Sequence, residues 1–176
     1  MDFTPGNPFP QMSPGIDLVD VPRLAAAMGR GGSRFLRRIF TEAETAYCQS
    51  QRVPAPHFAA RFAAKEAVAK ALGTGIGESA AFKEIEVIRA VTGAPSIRLH
   101  GSAAATAAGQ GVVAIQVSLS HTEEAAAAMV LISREKTSGP NCAPSAPNTA
   151  GRPSFEAPPG TGKEEGERLS CHPSSQ

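Results

Sequence analysis

Apolar and small residues recur along this chain in two rhythms, and the change of rhythm divides it. Gly15-Ile16-Asp17-Leu18-Val19 alternates with a period of two, Ile16 and Leu18 on one side and Asp17 opposite, as a strand does. Pro22, a favoured first-turn residue, then opens a helix that should end by Gly29, with Arg34 to Phe40 as a further short helical piece. Thr41-Glu42-Ala43-Glu44 is a capping box and starts another helix at Thr41. Pro54 and Pro56 close that helix and lead into a longer one from about His57 to Leu72, stopped by Gly73. Beyond a glycine loop the period of two returns. Phe82 to Val91 reads as a strand, Thr92-Gly93-Ala94-Pro95 as a turn and Ile97-Arg98-Leu99 as the hairpin partner. Ser102 to Ala108 forms a short helix stopped by Gly109. Val112 to Val117 and Ala125 to Ile132 are then two apolar strands joined across Ser118-Leu119-Ser120-His121-Thr122. Helices come early and strands late, which predicts an α+β fold.

The long central helix is a poor surface helix. Glu66 and Lys70 fall together on one flank and Arg61 and Lys65 on another, while Phe58, Phe62 and alanines fill the rest. Such a helix should be largely enclosed, its charges facing something polar. A phosphate-bearing ligand with its metal ion satisfies that requirement, and so does a solvated Glu66–Lys70 pair at the favoured spacing.

Composition sets the boundaries. From Arg134 to Gln176 there are seven prolines and five glycines, with only Phe155 and Leu169 as bulky apolar mass. That segment cannot bury enough surface to offset its conformational entropy, so residues 134–176 read as a disordered tail. Residues 1–12, with Pro5, Gly6, Pro8 and Pro10, read as a flexible extension, leaving one folded body over residues 13–133. Met12 is an alternative start for the chain. No apolar run approaches a membrane span. The three cysteines, Cys48, Cys142 and Cys171, show neither metal-ligand spacing nor an even-numbered framework, so a reducing cytoplasm is expected.

Charge is patterned more tellingly than its net +1 indicates. Arg23, Arg30, Arg34, Arg37 and Arg38 occur between Val21 and Phe40 with no acid among them. This cationic face suits nucleic acid or an acidic protein, although most short charge runs are only solvated. No aromatic residue is interleaved with the arginines in a stacking pattern, which argues against nucleic acid. Gly73-Thr74-Gly75-Ile76-Gly77 follows a helix and lacks the dinucleotide spacing, so it is at most a loop whose N–H groups approach phosphate, or a simple helix cap. Ser120-His121 lacks a nucleophile elbow, and neighbours on a strand point apart. Asp17 is a carboxylate in an otherwise apolar strand. Together with Glu66 it suits Mg²⁺, which takes one or two protein carboxylates and completes its shell with water and substrate phosphates.

Three blocks in order carry a family resemblance. They are Gly15-Ile16-Asp17-Leu18-Val19-Asp20, then the run from Arg61 to Gly77 (RFAAKEAVAKALGTGIG), then Val117-Ser118-Leu119-Ser120-His121-Thr122. The chain resembles the holo-[acyl-carrier-protein] synthases, the small trimeric bacterial 4′-phosphopantetheinyl transferases. The resemblance implies helices packed on an antiparallel sheet, and a homotrimer with active sites at its subunit interfaces. It implies transfer of 4′-phosphopantetheine from coenzyme A to a serine of an apo-acyl carrier protein for fatty acid biosynthesis, releasing adenosine 3′,5′-bisphosphate. By motif position, Asp17 and Glu66 would hold Mg²⁺. Glu66 and Lys70 would be catalytic, with Glu66 or a metal-held water as the base. Arg61, Lys65, Lys70, Gly73 and His121 would bind coenzyme A, and Arg23, Arg30 and Arg34 would dock the carrier. A non-catalytic coenzyme A-binding adaptor with a basic docking face is the alternative. Asp20 stands where the family more often has Glu, and the segment from Arg134 is outside the family pattern.

Overall fold

A computed structural model describes residues 11–90 and 92–135. Of the extension expected over residues 1–12 and the tail expected over residues 134–176, residues 1–10 and 136–176 lie outside the described residues, whereas Met12 opens the first strand and pairs with Ser133. Strand β1 (Met12–Asp20) leads into α1 (Val21–Ile39), α2 (Glu42–Gln49) and α3 (Pro54–Leu72). A 3₁₀ turn (Phe82–Glu84) then precedes the hairpin of β2 (Ile85–Arg89) and β3 (Pro95–Leu99). Helix α4 (Gly101–Gly109) and the long antiparallel strands β4 (Val112–His121) and β5 (Ala125–Arg134) complete the body. The sheet order is β1-β5-β4, with β5 paired antiparallel to both neighbours, and β2-β3 forms a second, two-stranded sheet. The architecture is α+β.

Local chemistry sets the boundaries. The Asp20 carboxylate caps α1 by accepting the Arg23 N–H at 2.7 Å, with proline in the first turn. The expected stop at Gly29 does not occur. Instead α1 is two helical pieces meeting at Gly32 (φ 52°, ψ −144°), a conformation that suits a residue without Cβ. Thr41 and Glu44 form the reciprocal capping box of α2. Helix α3 begins at Pro54, earlier than expected, because proline needs no donor in the first turn. It ends where Gly73 takes φ 75°.

Three expectations are corrected in the second half. The strand predicted over Phe82 to Val91 is confined to Ile85–Arg89, because Phe82–Glu84 tightens into a 3₁₀ turn. The supposed connection Ser118 to Thr122 is mostly strand: β4 runs through His121, and the reversal is left to residues 122–124. Arg134, predicted to open the tail, is the last residue of β5. Its guanidinium donates to the Gln110 side chain at 2.7 Å, to the Ala71 carbonyl at 3.3 Å and to the Ser13 hydroxyl.

Helix α3 is the centre of the molecule. Its alanines 63, 64, 67, 69 and 71 are buried against Ala128, Val130 and Ile132 of β5. Alanines on the helix and Gly15 on β1 let the helix lie close to the sheet. Toward its N-terminal end a second cluster gathers Phe40, Cys48, Phe58 and Ala59, with the Phe40 and Phe58 rings 4.9 Å apart. Burial pushes the Cys48 thiol up to about 11, so it stays protonated and unreactive.

Candidate functional site

Two strand–helix encounters place the charged residues. In the first, Asp17 of β1 meets Glu66 and Lys70 of α3. The Lys70 ammonium donates to Asp17 Oδ1 at 2.7 Å and to the Ile16 carbonyl at 3.2 Å. Half of the Lys70 side chain remains exposed (51%), and its third donor is left for an incoming anion. Partial burial raises Glu66 above the usual carboxylate range, the negative charge of Asp17 adds to this, and Lys70 opposes both. Two carboxylates close enough to repel, with one cation on their rim, form a site that lacks positive charge.

The two carboxylates open onto a cleft of about 1410 Å³. Asp17 and Glu66 lie in its floor, Leu24, Phe35, Phe62 and Phe82 give it apolar walls, and Arg23 and Arg38 of α1 bring cations to it. Among the described residues no three His, Cys, Asp or Glu side chains cluster as a metal centre. A two-carboxylate site is still the donor set that suits Mg²⁺, whose remaining ligands are water and phosphate oxygens. The donor set supports this fit: Asp17 and Glu66 both line the cleft, and a divalent cation would offset the burial and the Asp17 charge that disfavour ionised Glu66.

The second encounter joins the start of α3 to the end of β4. The His57 and His121 rings meet edge to face at 4.7 Å, and the Arg61 guanidinium lies 4.0 Å over the Tyr47 ring. Arg89 approaches the same ring at 5.3 Å. Arg61 is only 5% exposed, donates one bond to the His57 carbonyl, and leaves its Nε without a partner among the described residues. Burial holds His57 below the ordinary imidazole range, and the charges of His121 and Arg61 lower it further. The cluster is rich in donors and poor in acids, an arrangement suited to an anion. His121 and Arg61 thus share one cluster, while Asp17 and Glu66 line the cleft and Lys70 is tied to them through Asp17. Tyr47, His57 and Arg89 were not identified from the sequence, since an isolated tyrosine, histidine or arginine carries no spacing signal.

Two expected ligand-binding residues take other roles. Lys65 is completely buried, and its ammonium donates to Glu44 Oε2 at 2.8 Å, to the Phe82 carbonyl at 2.9 Å and to the Ile85 carbonyl at 2.5 Å. All three of its donors are used, so none remains for a diphosphate. Burial pulls it below the ordinary lysine range and Glu44 opposes that. Gly73 is the helix cap, with its N–H bonded to the Lys70 carbonyl, and the N–H groups of Thr74 and Gly75 both reach the Ala69 carbonyl. The part of the glycine loop that lines the cleft is Ile76-Gly77. Arg23 stands at the cleft, whereas Arg30 and Arg34 are exposed on α1 beyond its lining residues.

The chain is similar in sequence and fold to known proteins. The profile of the 4′-phosphopantetheinyl transferase superfamily matches residues 13–130. A holo-[acyl-carrier-protein] synthase of Koribacter versatilis (strain Ellin345) is 48% identical over 118 residues, covering 67% of this chain and 94% of that protein. The crystal structure of holo-[acyl-carrier-protein] synthase from Neisseria meningitidis superimposes with a TM-score of 0.65 at 30% identity, covering 69% of this chain and 98% of that one. The Helicobacter pylori holo-[acyl-carrier-protein] synthase in complex with coenzyme A gives a TM-score of 0.61 at 30% identity, covering 68% and 99%. The chain belongs to the 4′-phosphopantetheinyl transferase superfamily and, within it, to the holo-[acyl-carrier-protein] synthases, which are transferases.

Proposed function

We propose that this protein transfers 4′-phosphopantetheine from coenzyme A to a serine of an apo-acyl carrier protein, in the cytoplasm and for fatty acid biosynthesis. The observation that carries the reading is the pair of carboxylates, Asp17 and Glu66, lining a cleft that Arg23 and Arg38 also line, with Lys70 bonded to Asp17. Its relatives are holo-[acyl-carrier-protein] synthases, one of them crystallised with coenzyme A.

Asp17 and Glu66 would hold Mg²⁺, which when bound neutralises the diphosphate and polarises its phosphorus. Lys70, held by Asp17 and the Ile16 carbonyl, would offer its remaining donor to the same diphosphate. In the transfer, the serine oxygen of the carrier bonds to the β-phosphorus as the bond from that phosphorus to the bridging oxygen breaks. Adenosine 3′,5′-bisphosphate leaves with the electron pair, and the serine proton passes to Glu66 or to solvent. Lys70 opposes the negative charge that grows on the leaving group, so positioning and electrostatics supply the catalysis. Arg61, with its unpartnered Nε, and His121 would take the remote phosphate of coenzyme A. Arg23, Arg30 and Arg34 would receive the acidic surface of the carrier, with Arg23 nearest the reacting groups.

The two clusters lie on one chain but outside one cleft, which suits a ligand that spans neighbouring subunits. The outer face of the β1-β5-β4 sheet supports assembly, since Ile16 is 68% exposed and its register partner Met129 is 56% exposed. A homotrimer is the assembly we assign. Incubation with coenzyme A, Mg²⁺ and an apo-carrier tests the reaction. The carrier serine should gain the mass of phosphopantetheine, and EDTA should abolish the gain. An unmodified carrier after prolonged incubation would rule the reaction out.

A further inference from the structure

We propose that the buried Lys65–Glu44 pair serves the transfer reaction as a positioning device. It fixes the wall of the cleft and the turn of α3 that presents Glu66, and it never touches substrate. The inference rests on the reading of the cleft given above.

A fully enclosed lysine tolerates its charge only when every donor is met, and here each is. What those bonds join is informative. Two go to the carbonyls of Phe82 and Ile85, which bracket the 3₁₀ turn entering β2. The Phe82 ring lines the cleft and packs on Phe62, with centroids 5.1 Å apart. The third goes to Glu44, whose carboxylate also accepts the Thr41 N–H at 2.8 Å and the Val87 N–H at 3.0 Å. One ion pair therefore ties α2, α3 and the Phe82–Val87 segment together, one residue from Glu66. Lys65 lies at neither mouth of the site. Its effect on catalysis passes through Phe82 and Glu66, whose side chains do face the cleft.

Chemical labelling of the wild-type protein tests the placement without any substitution. Reductive methylation read by mass spectrometry should modify half-exposed Lys70 in the free protein, and should leave Lys65 untouched both in the free protein and with coenzyme A present. Methylation of Lys65 in the free protein, prevented by coenzyme A, would overturn the assignment.

Substitution tests the role. Lys65→Met and Glu44→Gln should each lower kcat about tenfold or more, leaving the calorimetric Kd for coenzyme A within about twofold. Because the two act as one unit, the double variant should lose no more turnover than the worse single. Losses that multiply, or a Kd for coenzyme A raised tenfold by Lys65→Met alone, would show a substrate ligand and overturn the device. Should the single variants not fold, the labelling result decides. Folded wild-type protein that transfers nothing would overturn the proposed reaction and this role together.

Discussion

Gly15 and Ala67 touch backbone to backbone: a Cβ built on Gly15 would lie 2.0 Å from the Ala67 carbonyl oxygen. Strand β1 therefore crosses α3 at a distance no side chain permits. The crossing has a chemical consequence. Asp17 lies two residues beyond Gly15 and Glu66 one residue before Ala67, so this contact is what brings the two carboxylates together.

Gly15→Ala should accordingly harm both stability and activity. Overpacking typically costs about 1–3 kcal/mol, and a backbone obstacle cannot swing aside as a side chain does. A lower denaturant midpoint is expected, with transfer falling further than the loss of folded protein explains. Wild-type stability and turnover in the purified variant would refute the role given to this crossing.

Glu66→Gln should separate stability from catalysis. Burial and Asp17 raise Glu66, so its ionised form is disfavoured in the metal-free protein, and neutralising it should leave the melting temperature unchanged or higher. Turnover should fall about 10²–10³-fold, the scale seen when a group stabilising transition-state charge is lost. A variant that keeps near-normal kcat would remove Glu66 from the mechanism.

Acid should weaken the body through Glu84. Its carboxylate accepts the Ser102 hydroxyl and the N–H groups of Ser102, Ala81 and Ala103, which hold it down at about 2. The folded value lies below the unfolded one, so the contribution is complete above pH 4.5 and is lost as pH falls through about 2. The melting-temperature gap between wild type and Glu84→Gln should be constant near neutrality and close across that window. A gap independent of pH would show that these bonds do not favour the ionised form.

Ile16→Lys should disrupt assembly while sparing the subunit. The side chain is exposed in the isolated chain, where surface substitutions usually change stability by less than about 0.5 kcal/mol. Sedimentation should show the wild type as a trimer and the variant as a smaller species with reduced transfer. Identical sedimentation would exclude this face from the interface.

Arg23→Glu and Arg34→Glu should each raise KM for the carrier, with little change in the Kd for coenzyme A. Raised salt should weaken wild-type carrier binding in the same sense. Arg23→Glu should also lower kcat, because Arg23 alone of the two lines the cleft. An unaltered carrier KM in both variants would move the docking surface elsewhere.

Sequence alone determined what short-range chemistry controls. The Pro22 helix start, the Thr41 cap, the glycine that ends α3, and the period-two strands are set by residues within a few positions of one another. The enclosure of α3 was likewise legible, since a helix of alanines with so few charges has no polar face to show water. What tertiary structure decided depends on partners distant in the chain. Lys65 and Lys70 are both lysines on one helix, yet Lys65 is consumed by Glu44 and two carbonyls while Lys70 reaches Asp17 and stays half exposed. Helical spacing gives the angle between those side chains but not what stands opposite each. Only the packing of α2 and β2 on one side, and of β1 on the other, makes the first lysine structural and leaves the second free to meet an anion.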